Sequence, residues 1–527
     1  MITSFRVRNL RSIRDSSDIE LAKITVLVGK NSAGKSTLLR VLPLIRQSSE
    51  RPTKGPLLWY GQFVDFGTFK NAVNVHNPKD GVTIEFQLSI DGNIGKKNTD
   101  ELDYFDIIES TSFYSDLNDV RIRLTIGQNE ADESGKARSI TLNTGSDDLT
   151  VHFGESGHGE NTTVVLNGRL ISLPETKRWA RRPGKIIPIP VLLKESHFET
   201  NGKRHVYHVK DQRPFSEELA EKASILLMEG LRSEKPGELL DRLLYASKEG
   251  FYKQIVKLLK FSPDLSRIIK DYKPGDAFIS SLRELTLLSN ISGILNRIDN
   301  EIASFAGNVR YIEPLRATAE RYYRLQDLAV DEIDSRGENT AMFLNSLSYI
   351  ETLRLRQWMR KSLGFHAHVT SESGHVQVFI NDSEGNDKNI ADLGFGYSQL
   401  LPIILQIWRA QYSRNAITGR SRPIIAIEQP ELHLHPQFQA QMADVIAGVA
   451  QADEEGPSIF LETHSEHLIN RLGELVGMGR LDRDAVQVLV VDQDETGLSS
   501  VTRVSFDKDG FLDAKWPSGF FVPEFNR

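Results

Sequence analysis

The stretch GKNSAGKS, residues 29–36, has the residue types and spacing of a loop that binds phosphate groups. Its glycines permit backbone angles with which a loop can wrap a phosphate, and its N–H groups direct fixed positive dipoles at the anion. Lys35 is expected to reach the β- and γ-phosphates of a nucleotide, Ser36 to bind Mg²⁺ and Thr37 to contact the α-phosphate. The residues predicted to bind the nucleotide are Gly29, Lys30, Asn31, Ser32, Ala33, Gly34, Lys35, Ser36 and Thr37.

A carboxylate suited to a metal follows an apolar run later in the chain. The run IIAI ends at Glu428, and ligands of open α/β sheets bind at the carboxyl ends of the strands. A carboxylate in that place can orient Mg²⁺, usually through water. The next residue, Gln429, stands where a general base is expected, and its amide cannot serve as one. The sequence leaves two alternatives open: slow hydrolysis, or a base moved to Glu431.

Histidines near the same strands suggest two different roles. His433 and His435 form an H-x-H pair, a weak signal for a metal centre, and Pro436 favours a helix start that would place the two side chains apart. His464 follows the apolar run SIFLE, and a histidine at such a strand end can hydrogen-bond a γ-phosphate. The predicted catalytic residues are Glu428, Gln429, Glu431 and His464.

A stretch with two glycines before an apolar helix supplies a further candidate for phosphate binding. In ADLGFGYSQLLPIILQIW, residues 391–408, the glycines leave a helix N-terminus exposed, which suits an anion. Core helices bounded by glycine are also common, so this pattern alone is a weak signal. The candidate residues are Gly394, Gly396 and Ser398.

Strands from both ends of the chain have to position these residues. ITVLVG, residues 24–29, predicts a short buried strand before the phosphate loop, and later strands are predicted near residues 425 and 460. Between them the pattern is first β-rich and then helical. The predicted segments are two halves of one α/β head, a β-rich lobe and a helical insertion: 1–90 and 309–527, 91–212, and 213–308.

Composition narrows the class of protein. The chain has 527 residues, which is long for a single core, and its net charge of −7 argues against a protein that coats nucleic acid indiscriminately. It has no cysteine, so disulfides, thiol catalysis and iron–sulfur clusters are excluded. The longest apolar runs are far shorter than a bilayer requires, and the first residues lack the apolar core of a secretion signal. We expect a cytoplasmic protein without a membrane partner.

The order of the motifs resembles that of the ABC-type ATPase heads of the OLD family and of DNA-repair and chromosome-maintenance ATPases. The stretches VRYIEPLRATAERYYRL (309–325), RGENTA (336–341) and WPSGFF (516–521) narrow the resemblance to an AAA/OLD-like bacterial group with a W-P-x-G-F-F tail. That group is similar to the PtuA-type ATPase subunits of Septu and of some retron-linked anti-phage systems. The resemblance implies an α/β fold: a split P-loop ABC-type ATPase head with an antiparallel β lobe and an inserted helical subdomain.

The resemblance also implies roles for single residues. In such heads two chains sandwich two ATP molecules, and the phosphate loop of one chain faces the signature of the other. Lys35 and Ser36 then hold the phosphate and Mg²⁺, and Glu428 is the Walker B acid. His464 is the switch histidine, and His435 lies where the D-loop aspartate usually stands.

The sequence departs from the pattern of these heads at three positions. Gly394 replaces the signature serine, which leaves Gly396 and the helix N-terminus as the main phosphate donors to the second chain. Glu428 replaces the usual Walker B aspartate, and Gln429 replaces the usual catalytic glutamate. A glutamine can still orient water, but losing a general base typically costs about 10²–10⁴-fold in rate.

Three more residues are candidates for contacts at the nucleotide. Gln47 and Gln62 are alternatives for the Q-loop residue at the metal, and the sequence does not choose between them. Arg316, in EPLRA, either approaches the nucleotide or forms a structural salt bridge.

Nucleic-acid contacts and a partner nuclease are the remaining expectations. KRWARRPGK, residues 177–185, either holds phosphate backbones with Trp179 stacking on a base or is a solvated hairpin edge. In RLRQWMRK, residues 354–361, a packed helix with Trp358 in a core is favoured. No HNH pattern or extra acidic cluster is visible, and the region after Thr463 is too short for the nuclease domain of OLD proteins.

The leading hypothesis is a homodimerising ATPase that turns over slowly and controls a separate HNH-type nuclease chain, with a retron reverse transcriptase and its DNA as a further potential partner. The alternative hypothesis is a free-standing DNA-repair or structural-maintenance ATPase that clamps DNA.

Overall fold

The computed structural model describes residues 1–91, 116–128, 134–154, 162–200, 203–211, 215, 218, 243–259, 272–327, 329–412, 422–452 and 456–512. The WPSGFF tail and most of the helical pattern predicted between 213 and 271 lie outside these described residues. Among the described helices, none is both long enough and apolar enough to cross a lipid bilayer.

The strands are β1 (Ile2–Leu10), β2 (Ile13–Asp15), β3 (Ile19–Glu20), β4 (Ile24–Val28), β5 (Val82–Asp91), β6 (Asp116–Gln128), β7 (Gly135–Asn143), β8 (Asp148–His152), β9 (Thr163–Leu166), β10 (Arg169–Leu170), β11 (Lys177–Arg182), β12 (Ile189–Thr200), β13 (Lys203–Lys210), β14 (Val309–Ile312), β15 (Tyr323–Arg324), β16 (His366–Glu372), β17 (His375–Asn381), β18 (Asp387–Asn389), β19 (Ile424–Glu428), β20 (Ser458–Glu462), β21 (Val486–Gln493) and β22 (Ser499–Val504).

The α-helices are α1 (Lys35–Leu39), α2 (Val41–Glu50), α3 (Phe69–Ala72), α4 (Lys248–Leu259), α5 (Ala277–Gly307), α6 (Thr340–Ser346), α7 (Tyr349–Leu363), α8 (Phe395–Tyr412), α9 (Pro436–Gln451) and α10 (Glu466–Gly477).

A parallel sheet forms the centre of the molecule, with strand order β14–β19–β20–β4–β21. Every residue of β4, β19 and β20 is buried, as expected for parallel strands covered on both faces. β4 lies near the start of the chain, whereas its neighbours in the sheet, β20 and β21, lie near the end of the chain. The predicted split α/β core is therefore confirmed.

The same sheet continues into antiparallel strands on the side of β21. The order runs β21–β22–β2–β1–β5 and then through β6, β7, β8 and β9 to β10, with antiparallel pairing from β1 outward along this path. The predicted antiparallel β lobe is thus an extension of the sheet that carries the phosphate loop. The segment boundaries given above stay predictions.

The long helix α5 packs in one hydrophobic core with strands of the β lobe and with a separate sheet of β11, β12 and β13. The Asp299 carboxylate in α5 accepts hydrogen bonds from the backbone N–H groups of Lys185, Ile186 and Ile187, at 2.6, 2.8 and 2.7 Å. These bonds give partners to the N–H groups just before β12. Without partners, buried N–H groups would lower the stability of the fold.

The basic stretch on β11 is partly built into this sheet. Trp179 is 3% exposed and packs on Phe215, with ring centroids 6.1 Å apart. Lys177 lies 3.6 Å from the Asp211 carboxylate. The expectation that Trp179 stacks on a base is therefore wrong, because the ring serves a hydrophobic core. The second basic stretch lies in α7, where Trp358 packs against the core as predicted.

Candidate nucleotide-binding site

The phosphate loop joins β4 to α1 and depends on glycine at two positions. Gly29 has φ 147°, and a Cβ there would lie 2.0 Å from the Val491 carbonyl oxygen of β21. Gly34 has φ 98°, and its Cβ would lie 2.8 Å from the Ser12 hydroxyl oxygen. Side chains at either position would clash with neighbouring strands as well as strain the backbone. The loop shape predicted from GKNSAGKS is present.

Lys35 lies inside this loop and is buried. Its ammonium donates hydrogen bonds to the carbonyl oxygens of Gly29, at 2.9 Å, and Lys30, at 2.8 Å. Burial lowers the pKa of Lys35, while the carboxylates of Glu462 and Glu431 act in the opposite direction. The Lys30 side chain, by contrast, is exposed. A buried ammonium held by carbonyl oxygens can turn to a phosphate group, because a charged acceptor makes the stronger hydrogen bond.

Two carboxylates, rather than one, lie at the strand ends beside the loop. Glu428 ends β19 and Glu462 ends β20, in register with each other, and both are 2% exposed. The Ser36 hydroxyl donates a 2.9 Å hydrogen bond to Glu462 Oε1. Burial, and after it the charge of Glu428, raise the pKa of Glu462 to about 7. Sequence reasoning missed Glu462, although an acid ending a buried strand was the signal that identified Glu428.

The carboxylate of Glu428 is bound by side chains of the protein. Arg40, at the junction of α1 and α2, donates two hydrogen bonds to it, at 2.6 and 2.7 Å. The Tyr311 hydroxyl donates a third, at 2.8 Å to Oε1. Burial raises the pKa of the Tyr311 hydroxyl, with the charge of Glu428 as the next cause. The metal role predicted for Glu428 stays a prediction, and its observed partners are an arginine and a tyrosine.

Gln429 has φ 42°, in the left-handed region that non-glycine residues rarely adopt. Its N–H donates to the Glu462 carbonyl oxygen at 2.9 Å, and its carbonyl accepts from Arg316 at 3.3 Å. Strained backbone of this kind costs about 1–3 kcal/mol and is concentrated at functional sites. The Glu462 carbonyl and the Arg316 side chain hold the backbone of Gln429, which stands where the general base is expected.

Glu431 is hydrogen-bonded to the loop that carries His464. One of its oxygens accepts from the Thr463 hydroxyl at 2.8 Å, and the other from the His464 N–H at 2.7 Å. Burial raises the pKa of Glu431. Burial also lowers the pKa of His464, and the charge of Lys35 lowers it further. The contacts of Glu431 are those of a residue that positions His464.

Arg316 connects the acidic strand end to α8 and is 6% exposed. Its Nη2 donates to the carbonyl oxygens of Glu428, at 2.9 Å, and Gln429, at 3.3 Å. The side chain of Gln399 in α8 bonds the backbone of Arg316. Burial lowers the pKa of Arg316 to about 10. These contacts are to backbone carbonyl oxygens and are therefore not a salt bridge, and the predicted approach of Arg316 to the nucleotide stays a prediction.

The two glycines of the signature stretch lie at the start of α8. Gly394 precedes the first residue of the helix, Phe395, which is 61% exposed. A Cβ added at Gly396 would have room, since the nearest atom would be the His433 carbonyl oxygen at 3.5 Å. Ser398 is buried, and its hydroxyl donates to the Phe395 carbonyl oxygen at 2.8 Å. The glycines leave the helix start accessible, while the hydroxyl of Ser398 is used within the helix.

The two histidines of the H-x-H pair take different positions. His433 is exposed, has φ 62° and lies beside Phe395, with ring centroids 6.1 Å apart. His435 is the N-cap of α9, where its Nδ1 accepts from the Gln437 N–H at 3.3 Å. Within the described residues, no group of three or more histidine or acidic side chains could hold a metal ion. The helix start predicted at Pro436 is confirmed, with His435 as its N-cap.

The structure separates the two Q-loop candidates. The buried amide of Gln47 donates to the carbonyls of Leu58 and Val64, at 2.6 and 3.2 Å. It accepts from the N–H groups of Phe63 and Val64, at 3.1 and 3.0 Å. Gln47 thus holds the loop that carries Gln62, and Gln62 itself is exposed. The amide of Gln47 is already saturated and has no capacity left for a metal contact, while the Q-loop role of Gln62 stays a prediction.

Several solved structures are similar to this chain over nearly its whole length. They include the Smc head domain of Pyrococcus furiosus with an extended coiled coil, bound to the C-terminal domain of ScpA, at 13% identity and TM-score 0.33, with 96% of each chain covered. Another is the SMC head domain of Thermotoga maritima, at 10% identity and TM-score 0.33, covering 95% of this chain and 98% of that one.

Sequence comparison gives the family. A search of curated proteins finds no match. The AAA ATPase domain matches residues 1–162 and 209–469, which is most of the chain and includes the phosphate loop, both acidic strand ends and His464. The family rests on this match rather than on the distant structural similarities. The chain belongs to the AAA ATPase domain family and is an ATPase.

Proposed function

We propose that this ATPase binds ATP with Mg²⁺, pairs head to head with a second copy, hydrolyses ATP slowly and controls a separate nuclease chain. The observation that supports the head-to-head pairing is the surface formed by Phe395 and His433. It joins the accessible start of α8 to the loop after β19, so a second copy placed here would meet both.

The residues present fit a nucleotide with its metal. The buried Lys35, the N–H groups of the loop and the Ser36 hydroxyl suit phosphates and Mg²⁺, and the buried carboxylate of Glu462 accepts a hydrogen bond from that hydroxyl. Mg²⁺ supplies charge compensation at the phosphates when bound. Gln429 can orient water but cannot accept its proton, which supports slow turnover. Slow turnover suits a protein in which the ATP-bound state itself controls the nuclease chain.

Dimer formation through the Phe395 surface gives a first prediction. Wild-type protein is expected to sediment as a dimer with ATP and Mg²⁺ and as a monomer without nucleotide. Phe395→Glu should weaken that dimer about tenfold or more, because burying a charge at the centre of an interface costs more than about 1.4 kcal/mol. The measurement is analytical ultracentrifugation over a range of protein concentrations.

A matched control is Phe511→Glu, since Phe511 is another exposed phenylalanine, at 71%. This variant should dimerise like the wild type. Nucleotide binding by the monomer should be the same in both variants. Equal weakening by both substitutions, or a wild type that stays monomeric with ATP, would contradict the head-to-head pair.

The nuclease part of the proposal rests on the resemblance described for the sequence. We expect a chain of HNH type to co-purify with this ATPase when it is expressed together with its neighbouring genes, and to be lost in the Lys35→Ala variant. Mass spectrometry of the native complex identifies the partner. Recovery of the ATPase without any nuclease chain would contradict this part.

The alternative function, a DNA clamp, predicts a different result in the same preparation. The isolated chain would bind DNA more tightly with ATP, with a steep salt dependence that weakens when the basic residues from Lys177 to Arg182 are neutralised. The burial of Trp179 removes one feature that supported this alternative.

A further inference from the structure

The carboxylates at the ends of β19 and β20, Glu428 and Glu462, differ in how many hydrogen bonds they accept from the protein. β20 lies between β19 and the strand that leads into the phosphate loop. Glu462 is therefore one strand nearer to that loop than Glu428, although the two residues are in register. The position of Glu428 in the sequence marks it as the metal carboxylate, whereas the hydrogen bond from the Ser36 hydroxyl favours Glu462.

Both carboxylate oxygens of Glu428 accept hydrogen bonds from protein side chains. Arg40 binds both of its oxygens and Tyr311 donates to one of them, so its charge is compensated by the protein. A buried carboxylate paired in this way is held in place by the cost of exposing or unpairing it. Its contacts connect α1 and β14 to β19, which is a structural task.

Glu462 is incompletely satisfied. Oε1 accepts from the Ser36 hydroxyl, but Oε2 is buried and has no hydrogen-bond partner among the described residues. An unpaired buried carboxylate oxygen costs free energy unless another group neutralises it. The hydroxyl next to it is the one expected to bind Mg²⁺. A hard cation with its water shell, placed beside Ser36, would supply the missing partner.

We propose that Glu462, rather than Glu428, is the carboxylate that holds the magnesium of the bound nucleotide next to Ser36. Glu462 acts on the metal or on one of its waters, and Glu428 positions Arg40 and the strand end. This inference rests on nucleotide binding alone and does not depend on dimerisation or on a nuclease.

The test measures how much Mg²⁺ strengthens nucleotide binding. A fluorescent, non-hydrolysable ATP analogue is titrated with wild type, Glu462→Gln and Glu428→Gln, once with Mg²⁺ and once with EDTA. Removing a carboxylate that holds a metal or its waters typically costs about 10- to 100-fold in metal affinity. Glu462→Gln should therefore lose most of the Mg²⁺-dependent gain, yet bind the analogue in EDTA at least as tightly as the wild type does.

Glu428→Gln should keep the Mg²⁺-dependent gain, even if its thermal unfolding midpoint falls. Electron paramagnetic resonance of Mn²⁺ in the same complexes gives a second readout: bound Mn²⁺ should decrease in Glu462→Gln and not in Glu428→Gln. Glu462→Asp, which keeps the charge, should recover part of the metal affinity and covers the case in which the glutamine variant does not fold.

The opposite pattern, with the Mg²⁺ effect lost in Glu428→Gln and kept in Glu462→Gln, would overturn the assignment. So would equal loss in both variants. A wild type that binds no analogue in either condition would instead contradict the nucleotide site itself, which separates the two failures.

Discussion

Replacing Gln429 with glutamate is expected to raise the steady-state rate of ATP hydrolysis about a hundredfold, near the low end of what a positioned general base contributes. The two side chains have the same shape, and the backbone is fixed on both sides by Glu462 and Arg316. The new carboxylate would thus take the place of the amide without moving the strand end. Phosphate release at saturating ATP and Mg²⁺ measures the effect.

Glu431→Gln is the matched comparison, because Glu431 is the other candidate base. Each of its oxygens accepts from Thr463 or from His464, so an amide would turn an N–H₂ group toward one of those donors. The cost of an unpaired buried group, about 1–3 kcal/mol, should appear as a lower thermal unfolding midpoint. If turnover vanishes in Glu431→Gln with an unchanged midpoint, and Gln429→Glu is no faster than wild type, the base has moved to Glu431.

Lys35→Ala is expected to weaken ATP binding by about 30-fold to several thousand-fold. Truncating one partner of a buried charged contact costs roughly 2–5 kcal/mol, and each 1.4 kcal/mol is a factor of ten in affinity. The ammonium of Lys35 lies inside the loop on carbonyl oxygens that can release it to a phosphate. Isothermal titration calorimetry with a non-hydrolysable analogue measures the loss.

Lys30→Ala is the control for the charge of the loop. Lys30 lies in the same loop and contributes its backbone carbonyl, not its exposed side chain, to the contact with Lys35. Its substitution should change the affinity by less than about threefold, because exposed charges in water interact weakly. Similar losses in the two variants would mean that the loop attracts the nucleotide only through its overall charge.

The sequence by itself determined the phosphate loop, the β4–loop–α1 unit and the α/β class. These features depend on residues adjacent in the chain, since glycine angles, N–H dipoles and one lysine suffice to describe a phosphate site. It also identified Glu428 and His464 as strand-end residues, because apolar runs of four or five residues before a polar residue indicate buried strands. The split of the head between the two ends of the chain followed from the same patterns.

Only the tertiary structure decided which side chains meet. Ser36 contacts Glu462 and Arg40 contacts Glu428 across sequence separations of 426 and 388 residues. These pairs depend on β20 lying between β4 and β19, an order that no local pattern contains. For the same reason the sequence could not tell that Trp179 is a core residue or that Gln47 is saturated. Long-range strand order and burial, rather than residue type, assign each polar group its partner.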